Sequence, residues 1–166
     1  MNAEKKASRK QQNKDRTNRK AKFERRQAIA SVMIEVHEKK GDVQGLQFWR
    51  EVLEAVDILT IGGMSDEEEV TEENERVRLV KDLDFRHPDF RELFRRVDNV
   101  RTRNPSIFRN IGRKRMRRVY VPEMTSRQPP PNMPSSYYCQ EYLDSMNQGE
   151  VPNVKFQKDS DFTIPR

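Results

Sequence analysis

Apolar residues return at three- and four-residue spacings in three stretches of this chain. In the first, Phe23, Ile29, Ala30, Val32, Met33, Ile34 and Val36 trace one side of a helix that starts near Arg19 and ends before Gly41. Lys39 and Lys40 fall in its last turn, where cations complement the helix dipole. Asp42 supplies a side-chain cap for a second helix, in which Leu46, Trp49, Val52, Leu53, Val56 and Leu59 form a stripe stopped by Gly62-Gly63. So few residues separate the two helices around Gly41 that they are expected to pack as a hairpin. The third stripe is Phe90, Leu93, Phe94, Val97 and Val100. It opens at His87-Pro88-Asp89, with Pro88 where a helix needs no N–H and with Asp89 and Glu92 in the first turn.

The rest of the chain reads differently. Residues 1–18 hold no large apolar side chain after Met1, so ordering them costs entropy with no burial to offset it, and a disordered basic arm is expected. Residues 64–75 are too acidic for a core and read as a surface linker. In 76–81 Val77 and Leu79 alternate with charges, which suits a short strand or a helical extension, and Val119, Tyr120 and Val121 suit extended backbone. Pro122, Pro129, Pro130, Pro131 and Pro134 make 122–136 a Pro-rich linker. Tyr138, Tyr142, Leu143 and Met146 mark a short helical patch at 137–148, and 149–166 reads as a flexible tail. The expected fold is mainly α. It is a small bundle of three principal helices near 19–40, 43–60 and 88–101 within a domain at 19–121, followed by a short C-terminal helix, with disordered, charged termini.

Charge sharpens this picture. The 166 residues carry 33 Lys and Arg against 27 Asp and Glu, a net charge of +6, and the charges are segregated. Residues 1–26 hold 11 basic and 3 acidic side chains, 64–75 hold 7 acidic and no basic ones, and 76–121 hold 15 basic and 5 acidic. No run approaches a membrane span, and no apolar stretch follows the basic N-terminus as in a signal peptide. With one cysteine, Cys139, the chain has no disulfide framework, and the expectation is an intracellular protein, nuclear or cytoplasmic.

Catalytic and cofactor chemistry lacks its residues. His37 reads as a surface or boundary residue, His87 as part of a helix start, and Cys139 as a half-buried thiol with no basic neighbour in sequence. His37, His87 and Cys139 lack ligand spacing, and the acidic run has no glycine at the turn of a calcium loop, so neither a metal nor a cofactor is expected. Neither GxGxxG nor GxxxxGK[ST] occurs.

The basic segments carry the functional expectation. Arg113, Lys114, Arg115, Arg117 and Arg118 sit within six residues, and Lys5, Lys6, Arg9, Lys10, Arg25 and Arg26 belong to a looser N-terminal array. Such clusters bind phosphates by releasing counterions, and they match the composition of nuclear import signals. The second helix is net acidic, with Glu51, Glu54 and Asp57 against Arg50, so it is no recognition helix for a major groove. The preferred reading is a non-enzymatic binding protein contacting nucleic acid or an acidic partner, mostly without sequence specificity. Its alternative is a protein–protein interaction module using the Trp49 and Phe94 helix faces and no nucleic acid. Ser65, followed by Asp66, Glu67 and Glu68, is a candidate site for an acidophilic kinase, whose phosphate would tighten the hold of the acidic run on the basic arm.

Three segments in order, ILTIGGMSDEEE at 58–69, Asp84-Phe85-Arg86-His87-Pro88, and SRQPPPNMPSSYYCQEYLDSM, resemble an uncharacterised multicopy family of fungal proteins. That family has a Gly-Met-Ser-Ser-Asp-Glu segment, a downstream aromatic-Arg-x-Pro segment, and a Pro-rich stretch leading to an aromatic end. This chain departs from it in having one serine after Gly63-Met64 and Phe85 where tryptophan is commoner. The resemblance covers residues 45–145 and implies that Met64 to Asp66 and Arg86 to Pro88 matter, without assigning them a chemistry.

Overall fold

The computed structural model of the chain describes residues 2–108, 116–151 and 162–166. Among these, the elements run α1 (Ala3–Lys40), α2 (Val43–Leu59), β1 (Asp66–Glu72), β2 (Glu75–Leu83), α3 (Asp89–Arg103), β3 (Arg117–Thr125) and α4 (Gln140–Asn147), with 3-10 turns at Ile61–Gly63 and Ser135–Tyr137.

The α1–α2 hairpin follows from local chemistry. Gly41 takes the left-handed conformation (φ 67°) that other residues enter at a cost, and its N–H donates to the Glu38 carbonyl while that of Asp42 donates to His37. The Asp42 carboxylate accepts from the Gly45 N–H at 3.0 Å and starts α2. A Cβ at Gly45 would press on the His37 ring and the Asp42 carboxylate, so glycine keeps these two side chains in place.

β1 and β2 pair antiparallel from Asp66 opposite Lys81 to Glu72 opposite Glu75. Glu73 and Asn74 join them, both at positive φ (47° and 66°), as a two-residue turn matched to strand twist demands. β3 pairs parallel to β2 from Arg117 opposite Val77, so the chain must cross over between them, and α3 makes that crossover. The sheet order is β1-β2-β3. Pro122 is tolerated because β3 is an edge strand, and the β2–β3 register shifts between Val80 and Asp82.

The three helical stripes converge on one core. Ile29, Met33, Trp49, Val52, Val56 and Leu59 meet Phe90, Leu93, Phe94 and Val97, joined by Phe85, Met133, Tyr137, Tyr138 and Met146. Phe90 packs edge-on to Tyr137 with ring centroids 4.8 Å apart. At the start of α3, His87 Nδ1 accepts from the Asp89 N–H at 3.1 Å, so the histidine shapes that helix start.

Several expectations are corrected. The fold is mixed, with four α-helices and a three-stranded mixed sheet among the described residues, and it is not a three-helix bundle. The reason is that the acidic run and RVRLVK neutralise each other as neighbouring strands. Glu69 pairs with Arg76 at 2.7 Å and Arg78 at 3.4 Å, and Glu68 pairs with Lys81 at 3.4 Å. Residues 64–75 therefore end as a strand and turn rather than a linker, and 76–81 is strand. The N-terminal arm is helical from Ala3. It lacks Gly and Pro, Asn2 accepts from the Glu4 N–H, and the packed half of α1 supplies the costly nucleus from which the helix propagates.

The Pro-rich segment also packs: Pro129, Pro130, Met133 and Pro134 are buried. In the C-terminal segment, 152–161 lies outside the described residues, while Ile164 packs against the core and Pro165 is buried. Trp49 and Phe94, the faces needed by an apolar interaction module, are 6% and 2% exposed and belong to the core.

Candidate functional site

α1 changes character along its length. From Lys22 onward it is packed, and Lys22 and Arg26 lie one turn apart on the stripe that continues as Ile29, Ala30 and Met33. Two cations thus enter the interior and need partners there. Lys22 is 3% exposed; its Nζ lies 2.8 Å from Glu67 and donates to Ser65 O and Oγ at 3.0 and 3.1 Å. Arg26 holds Asp98 of α3 with two bonds, Nε to Oδ1 at 3.1 Å and Nη2 to Oδ2 at 2.9 Å. Its guanidinium also sits 4.1 Å from the Phe94 ring centroid.

The sheet and loops complete this cluster. Arg118 of β3 lies 3.0 Å from Glu67 and 3.8 Å from Asp98, and Arg25 is also 3.8 Å from Asp98. Arg86 pairs with Asp82 at 2.6 Å and donates to the Gly63 carbonyl. Asp66 takes Arg19 at 2.8 Å and Arg127 at 3.3 Å. The two segments Met64 to Asp66 and Arg86 to Pro88 therefore meet in one place, at the foot of α1.

Electrostatics agree with a clamp. Burial, reinforced by Arg26, pulls the Lys22 ammonium down to about 7, although Glu67 opposes this. Burial pushes the Glu67 carboxyl up, but Lys22 and Arg118 outweigh it and hold the group at about 2. Asp98 likewise lies well below the carboxylate range, with Arg26 overcoming its burial. A cavity of about 10 Å³ lies between Arg26, Asp82, Arg86 and Asp98. It has room for one water and none for a substrate.

The sequence-predicted cations are sorted by this arrangement. Arg25, Arg26 and Arg118 are committed to internal carboxylates, and Arg117 spans Glu75 at 3.7 Å and Glu72 at 4.0 Å. Arg26 and Arg118 are corrected from nucleic-acid contacts to structural partners, because each is buried against a carboxylate, Asp98 of α3 or Glu67 of β1, whereas Arg25 and Arg117 make only longer pairs of 3.7 to 4.0 Å. Arg113, Lys114 and Arg115 lie outside the described residues. The cations of α3 do not share one face: Arg91 and Arg95 stand 5.0 and 4.8 Å from the Tyr120 ring, whereas Arg96 covers Phe48.

Lys5, Lys6, Arg9 and Lys10 are exposed on the free half of α1 and make no ion pair among the described residues. Lys14 and Arg16 extend the same exposed segment. Ser65 is 4% exposed and bound to Lys22, so a kinase cannot reach it in the folded protein, which corrects its candidacy as a phosphorylation site.

Sequence reasoning missed the buried pairing of Lys22 with Glu67 and of Arg26 with Asp98, and it gave Arg86 and Asp82 no chemistry. The available signal was charge inside an apolar stripe at 22 and 26, with opposite charges in the two runs at 66–72 and 76–81. Among the described residues no helix is long and apolar enough to cross a membrane. Comparison of the chain with protein families, curated proteins and solved structures gives no match.

Proposed function

We propose that this chain is a non-enzymatic binding protein that grips the phosphate backbone of nucleic acid through the free half of α1, mostly without sequence specificity, and that it acts in the nucleus or cytoplasm. One observation carries the reading. Residues 2–18 hold six cations, Lys5, Lys6, Arg9, Lys10, Lys14 and Arg16, against Glu4 and Asp15, on the part of α1 that adds no side chain to the core. Cations that neither pack nor pair stabilise no part of the fold, and self-repulsion along the helix favours an external polyanion. The ionic cluster at Lys22, Arg26, Glu67 and Asp98 supports the reading from beneath, because it fixes the direction in which this half projects.

A salt titration tests it. Binding of the full chain to a labelled oligonucleotide should weaken with salt at a log–log slope of about −5 if the six cations of residues 2–18 each meet a phosphate. K5Q/K6Q/R9Q/K10Q should flatten that slope. R117Q should leave it unchanged, since Arg117 is paired with Glu72 and Glu75. No affinity for duplex or single strands at low salt, or a slope indifferent to the first variant, overturns the proposal.

A further inference from the structure

The placement of the free cations around α1 points to a more definite partner, and the inference rests on the function just proposed. We infer that the free half of α1 seats in the major groove of B-form duplex DNA. At 100° per residue, Lys5, Arg9 and Arg16 fall in one row, and Lys6, Lys10 and Lys14 fall in a second, about 120° away around the helix. Asn13 and Thr17 lie between the rows, uncharged, and the Thr17 hydroxyl is already turned back to the Asn13 carbonyl at 2.9 Å. A single row would suit one strand of phosphates on a flat approach. Two rows flanking a neutral strip suit two walls of phosphates with base edges between them.

Dimensions and charge agree. A helix ~10 to 12 Å across fits a B-DNA major groove about 12 Å wide, whereas the deep, narrow major groove of A-form RNA excludes it. Ala3 to Asn18 spans roughly 24 Å at 1.5 Å per residue, enough to lie in the groove across several base pairs within one turn of about 34 Å. The third side of α1 is closed to a duplex. Gln11, Asp15 and Asn18, together with Lys14 of the second row, face a gap that holds four carboxylates of β1, Asp66 to Glu69, against Lys81, and this net negative charge keeps phosphates off that side. The hairpin therefore orients the approach. DNA meets α1 on the side bearing the two rows.

The test uses the full chain with one labelled sequence as DNA duplex, RNA duplex and single strand, read by fluorescence anisotropy across salt. Two variants neutralise one row each, K5Q/R9Q/R16Q and K6Q/K10Q/K14Q. Both change exposed side chains, and circular dichroism checks that the fold is kept. The expected results are at least tenfold tighter binding to DNA duplex than to RNA duplex and a loss of about 3 from the salt slope in each row variant. Displacement by a major-groove ligand such as methyl green, and none by the minor-groove ligand netropsin, completes the expected set. Equal affinity for the two duplexes, dependence on one row alone, or displacement by netropsin overturns the groove assignment while leaving backbone binding in place. Absence of binding to all three nucleic acids overturns both readings.

Discussion

Replacing Asp98 by Asn tests whether the ionic cluster holds α1 to the body of the protein. Asp98 lies 5% exposed on α3, bound twice by Arg26 at 3.1 and 2.9 Å, with Arg25 and Arg118 each 3.8 Å away. Asparagine keeps the shape and one acceptor, but its NH₂ faces a guanidinium N–H, and three cations lose their shared counter-charge. Breaking a buried pair by removing one partner costs about 3 to 5 kcal/mol, which is a large part of the roughly 5 to 15 kcal/mol available to a domain. With a urea dependence near 2 kcal/mol per M, the unfolding midpoint should fall by about 2 M. The companion double variant R26M/D98L removes both charges together and should recover much of the loss, because no unpaired ion remains at that contact. A shift below about 0.5 M for D98N, or a double variant no better than the single one, refutes the clamp.

Other outcomes follow from the same geometry. Glu67 has a folded pKa of about 2 against an ordinary 4.5, so its contribution is present above pH 4.5 and is lost as pH falls towards 2. The amount is on the order of 3 kcal/mol, and urea unfolding across that window in wild type and E67Q should differ accordingly. Lys22, lowered from 10.5 to about 7, acts with the same sign at higher pH, since the unfolded chain binds the extra proton between those values. Stability of the wild type should therefore rise from pH 7 towards 9 relative to K22M, and a flat difference would show that burial does not depress Lys22. Gly45→Ala places a Cβ against the His37 ring and the Asp42 carboxylate, so it should lower stability by about 1 to 2 kcal/mol despite the better helix propensity of alanine. Incubation with an acidophilic kinase should label Ser65 in a peptide spanning 60–72 and not in the folded protein; equal labelling would show that the site opens.

Much of the helical architecture was legible in the sequence, although the helix over residues 3–18 was not. Gly41, Asp42 and the stripes through Trp49 and Phe94 specify α2, α3 and the α1–α2 hairpin, because capping and periodic burial are local properties. The exposed cations at 5, 6, 9 and 10 were legible too, since no later residue competes for them. The sheet was not legible. A run such as DEEEVTE has poor strand propensity, and it becomes a strand only when Arg76, Arg78 and Lys81 lie opposite its carboxylates. The same long-range pairing decided which cations are structural. Arg26 meets Asp98 across 72 positions of sequence and Arg118 meets Glu67 from another strand, so only the tertiary structure could separate them from the free lysines. Local rules set where backbone bends and which side is apolar, but the cancellation of one charge by another depends on distances that the fold alone creates.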